Sequence, residues 1–84
     1  MFCTAINCMD GRTQLTVINF LQKRFGAIDV DMITEPGPNK ILAEREDATT
    51  VASIQRRIGI SLEKHGSKRM AIVGHEDCGG NPSE

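Results

Sequence analysis

Tryptophan and tyrosine are absent from these 84 residues, and phenylalanine occurs only three times. Single-stranded nucleic acid is held on aromatic platforms where bases stack, so that class of partner has little to rest on. Positive charge is not in excess either. Ten Lys and Arg against eleven Asp and Glu leave a net charge of -1, which draws neither nucleic acid nor an anionic membrane. No apolar run approaches the roughly 20 residues of a membrane-spanning helix, and the first residues lack the basic-then-apolar pattern of a signal peptide. A cytoplasmic location is therefore expected, and cysteines there stay reduced. The three cysteines cannot all pair within one chain, so their spacing is read for metal binding or catalysis.

What is present fits a folded domain: 39% hydrophobic and 25% charged residues. A single domain over residues 1–84 is expected. A chain this short buries a limited core and commonly leans on a metal or on a partner subunit. Phe2 to Asn7 is a short, mostly apolar run of the length of a buried strand. Cys8-Met9-Asp10-Gly11-Arg12 then reads as a loop. Leu15, Ile18, Leu21 and Phe25 recur at helical steps, with Thr13 as N-cap and Gly26 just past the end. Ile28, Val30 and Met32 alternate with Asp29 and Asp31, the period of a strand, which Pro36-Gly37-Pro38-Asn39 ends. A second helix is predicted from about Asp47 to Lys64, striped by Val51, Ile54, Ile58 and Leu62 and stopped by Gly66. Met70 to Val73 is a third strand. Alternating strands and helices imply an α/β fold with a three-stranded parallel sheet and right-handed crossovers; the order taken for it is 2-1-3, which puts helices on both faces. Asn81-Pro82-Ser83-Glu84 carries the signals of a helix start, so the domain is expected to be incomplete at its C-terminus.

Two short motifs carry chemistry. Cys8-x-Asp10-x-Arg12 follows the first strand and His75-x-x-Cys78 follows the third. Ligands in open parallel sheets bind beyond the carboxyl ends of the strands, where neighbouring crossovers diverge. With order 2-1-3, Cys8 and His75 stand at the tips of adjacent strands, about 4.8 Å apart. Two thiolates and one imidazole suit zinc, and three protein ligands leave a fourth position open, the catalytic arrangement. Arg12 is placed to hold the Asp10 carboxylate in a bidentate pair; otherwise Asp10 is itself a candidate fourth ligand. The bland readings are buried core cysteines, a strand-end histidine and a surface ion pair. Cys3 is read as core, and His65 as a helix C-terminal residue without function.

Cys-x-Asp-x-Arg followed by Gly74-His75-x-x-Cys78-Gly79-Gly80 resembles the β-class carbonic anhydrases, as does the run from Ser61 through Gly66 and on from Arg69. The resemblance covers nearly the whole chain and is loosest around Gly37 and Asn39. It implies Cys8, His75 and Cys78 as zinc ligands and Asp10 with Arg12 as the catalytic dyad. It further implies hydration of carbon dioxide to bicarbonate through a metal-bound hydroxide, or a related small-molecule hydrolysis, in a homo-oligomer. Family members are normally about twice this long. Here a Pro-rich segment, Thr34 to Asn39, stands where they carry an Arg-Asn-Ala-Gly-Asn-like loop, and Glu76 and Asp77 place two carboxylates in the metal loop. Because two thiolates cancel the charge of Zn²⁺, activity is expected to be weak at neutral pH and to rise on the alkaline side. The alternative is a non-catalytic α/β protein that keeps zinc for stability or assembly.

Overall fold

The apolar N-terminal run becomes the central strand of a three-stranded parallel sheet ordered β2-β1-β3. The computed structural model describes residues 1–74. Strand β1 is Phe2–Cys8, β2 is Asp29–Glu35 and β3 is Met70–Ile72. Helix α1 is Gln14–Phe25, α2 is Pro38–Glu44 and α3 is Ala48–Lys64. The predicted α/β class, strand order and helices on both faces are all present.

A strand covered on both faces reads as a continuous apolar run rather than an alternating one. That is the case for β1, whose residues from Cys3 to Cys8 are all buried. Cys3 and Ala5 pack with Val17 and Leu21 of α1 and with Ala27. On the opposite face Ile6 packs with Ile33 of β2 and Ile54 of α3. In-register parallel pairing runs from Phe2–Asp29 to Cys8–Glu35 on one side of β1. On the other it runs from Thr4–Met70 to Ile6–Ile72.

The structure corrects several details of the periodicity. Helix α1 turns Val17 and Leu21 inward, with Phe25 packed beside them. Leu15 is 74% exposed, because residues two apart on a helix point about 200° away from each other. In α3 the buried residues are Val51, Ile54 and Ser61, while Leu62 lies outside. Asp47 does cap this helix, accepting from the Thr50 backbone N–H. Ile28 precedes β2 and is exposed, and β3 is one residue shorter than predicted. Helix α2 was not anticipated. Its seven residues are too few for a periodic signal, but Pro38 opens it after Gly37 in the left-handed region (φ +67°). Ile41 and Leu42 then reach the Ile6–Ile33–Ile54 cluster.

Ser61 displaces a leucine from the helix face because its hydroxyl has partners there. Thr4 Oγ1 lies 2.6 Å from Ser61 Oγ and donates to Ser67 Oγ at 2.6 Å. Ser61 Oγ donates to Asp31 Oδ2 at 2.6 Å, and His65 Nδ1 lies 2.7 Å from the same oxygen. The His65 ring also stacks on Phe2, centroids 4.4 Å apart, so this histidine ties the end of α3 to β1 and β2. Burial by itself raises the Asp31 pKa, but the bonds from Ser61 and His65 outweigh it and hold the carboxyl below its ordinary value. A pKa depressed by folding stabilises the native state above the unfolded-state pKa, and that stability is lost as pH falls through the folded-state value. Asp31→Asn is expected to cost about 1.5–3 kcal/mol at neutral pH, the scale of hydrogen bonds to a charged group. The difference from wild type should shrink below about pH 4. Urea unfolding of both proteins at the two pH values checks this, and a gap that widens in acid contradicts it.

Candidate functional site

Cys8 ends β1 and is buried, with 4% of its surface exposed. The Cys8–Arg12 segment lies at the carboxyl edge of the sheet, the side where open parallel sheets bind ligands. It is fixed by contacts from both flanks. The Met9 N–H donates to the Glu35 carbonyl at 3.0 Å. Gln14, the first residue of α1, donates its side-chain amide to the carbonyls of Cys8 (2.8 Å) and Asp10 (3.0 Å). Thr13 stands at the N-cap position without a side-chain capping bond. Its hydroxyl instead donates to the Asp10 carbonyl at 2.9 Å and accepts from the Asn7 amide at 3.1 Å. Asn7 is fully buried, and its Oδ1 has no hydrogen-bond partner among the described residues.

The Asp10 carboxylate is gripped by Arg12. The Arg12 backbone N–H reaches Oδ1 at 2.9 Å, Nε reaches both oxygens at 3.0 Å, and Nη2 reaches Oδ2 at 2.5 Å. The side chains are 21% exposed for Asp10 and 72% for Arg12. An ion pair this open adds little to stability. Its consequence is orientation: the fork of the guanidinium sets the plane of the carboxylate.

A second carboxylate stands on the other side of Cys8. Glu35, the last residue of β2, is the in-register partner of Cys8. It forms an ion pair with Arg57 of α3, and Arg57 is braced by a bond from its Nε to the Ser53 carbonyl at 3.3 Å. Asn7, Gln14, Glu35 and Arg57 were not singled out from the sequence. Asn7 and Gln14 were detectable as amides flanking the Cys8–Thr13 stretch. Glu35 and Arg57, 22 residues apart, had no local signal.

His75 and Cys78 lie outside the described residues. Strand β3 carries the chain toward them: Val73 N–H donates to the Ile6 carbonyl at 2.9 Å. Among the described residues no group of three His, Cys, Asp or Glu gathers to hold a metal. Also among these residues, no helix is long and apolar enough to cross a membrane. On the outer flank of α1, a cleft of about 590 Å³ opens between Thr16, Phe20, Ile72 and Val73, with Arg12 at one end.

No curated protein and no solved structure matches the chain. Its sequence does match a protein family, over residues 1–84, whose description reads "Putative carbonic anhydrase". With that match spanning its whole length, the chain belongs to this carbonic anhydrase family.

Proposed function

We propose that the protein hydrates carbon dioxide to bicarbonate with the help of a zinc ion held by Cys8, His75 and Cys78. The observation that carries this is the Asp10 carboxylate, fixed by Arg12 two residues beyond a buried cysteine at the carboxyl end of the central strand. The donor chemistry fits the metal: two cysteines and a histidine are a zinc set that leaves one position open. Zinc, when bound, would supply a Lewis acid that lowers the pKa of water and makes it nucleophilic, here on the alkaline side because two thiolates offset the metal's charge.

The chain's own residues do the rest. Asp10 would accept a hydrogen bond from the attacking water and so turn the water's lone pair toward carbon dioxide. Both Asp10 oxygens already accept from Arg12, which fixes the plane of the carboxylate and would leave its remaining lone pairs for the water. Thr13 and Gln14 hold the Asp10 backbone, and Gln14 also holds that of Cys8, which keeps sulfur and carboxylate in a fixed relation. Water and carbon dioxide give bicarbonate and one proton. The exposure of Arg12 gives buffer a route to carry that proton away.

The test is metal analysis of purified protein, followed by stopped-flow hydration with the zinc-loaded form. One zinc per chain and a rate that rises on the alkaline side are expected. Zinc-loaded protein that is inactive at every pH would leave the metal with a structural role, and activity peaking below neutrality would overturn the dyad.

A further inference from the structure

Resting on that metal reading, we infer that Arg57 is a positioning residue that holds Glu35 away from the metal and so keeps the fourth coordination position open. In-register partners on parallel strands project to the same face of a sheet. Thr4 meets Ser61 of α3, and Ile6 packs on Ile54 of α3. Cys8, two residues further, projects to that same face. Ile33 also packs on Ile54, and Glu35 lies two residues beyond it. The Cys8 sulfur and the Glu35 carboxylate therefore rise side by side from strands about 4.8 Å apart, a gap that a glutamate side chain spans.

Zinc accepts carboxylate oxygen readily, at about 2.0–2.2 Å. A glutamate beside a cysteine ligand is thus a competitor for the open position. In this fold Glu35 is turned toward α3 by Arg57, whose Nε is anchored to the Ser53 carbonyl. The pair is only partly exposed, 31% for Arg57 and 20% for Glu35, so water screens it less than it screens Asp10–Arg12. The two carboxylates flanking Cys8 are thus each held by an arginine, one from the adjoining loop and one from across the sheet.

The experiment loads wild type and variants with Co²⁺, whose visible absorption reports coordination, and titrates each with thiocyanate as a ligand for the open position. Thermal melts run alongside. Wild type should bind cobalt and shift its spectrum with thiocyanate. Arg57→Ala should keep cobalt but bind thiocyanate about tenfold or more weakly, the scale on which residues just outside a metal's ligands act. Adding Glu35→Gln to Arg57→Ala should restore the wild-type response, because the amide is a poor ligand. If Arg57→Ala does not fold, Arg57→Gln, which keeps part of the aliphatic stem and a polar but uncharged end, carries the same expectation. Unchanged thiocyanate binding in the arginine variant overturns the inference while leaving the metal site standing. So does a loss that Glu35→Gln fails to restore, since a merely structural role would produce it. A folded wild type that takes up no cobalt overturns the metal reading and this inference together.

Discussion

Cys8→Ser should emerge from purification folded and almost free of zinc. Serine matches cysteine closely in size, and Cys8 sits at the last position of β1, so the strand loses no volume that would open a cavity. What changes is donor chemistry: a thiolate becomes a hydroxyl that stays protonated at neutral pH and binds zinc poorly. Even residues outside the ligand set alter metal affinity about 10–100-fold, so removal of a ligand should weaken binding by at least the upper figure. Competition with a chromophoric chelator measures the affinity, and circular dichroism checks the fold. The same loss is expected for Cys78→Ser. Full zinc occupancy in both variants would remove the assignment. Cys3→Ser is the control, because Cys3 faces the α1 core and should leave zinc untouched.

Asp10→Asn and Arg12→Ala should both lose hydration activity, by different routes. Asparagine keeps the shape of Asp10 but its amide cannot accept on both sides, so the water loses its acceptor. Zinc content should stay unchanged while the rate falls about 10²–10⁴-fold, the range for a lost acid–base group. Arg12→Ala removes the guanidinium's bonds to both Asp10 oxygens and keeps the backbone N–H bond to Oδ1. Without the guanidinium fork the carboxylate can turn toward the fourth position, so zinc should be retained or bound more tightly while turnover falls. Stability should barely move in either variant, since the pair is exposed at the Arg12 end. Stopped-flow rates with zinc content measured in parallel decide the matter. A rate that survives in Asp10→Asn sinks the dyad, and an Arg12→Ala protein that sheds its zinc contradicts the closure.

Local pattern determined a good deal about this protein. The three strands, helices α1 and α3, the Asp47 cap and the clustering of Cys8, Asp10 and Arg12 all follow from short-range spacing. Such features depend on residues within a few positions of one another, where periodicity and turn chemistry act. Cys8, Asp10 and Arg12 stood out because chemistry-bearing residues crowd a five-residue loop.

Tertiary structure alone decided which face of each helix turned inward. Leu15 and Leu62 fit their helical stripes and yet lie exposed, because the sheet that receives a helix fixes its rotation. The polar chain from Thr4 through Ser61 to Asp31 explains why a serine took an inward place on α3. Helix α2 exists because Ile41 and Leu42 find a core assembled from β1, β2 and α3, not because seven residues are a strong helix on their own. The Glu35–Arg57 pair joins a strand end to a helix 22 residues on. Only the β1–β2 register sets Glu35 next to Cys8, and register arises from packing both faces of β1 at once, which no local window contains.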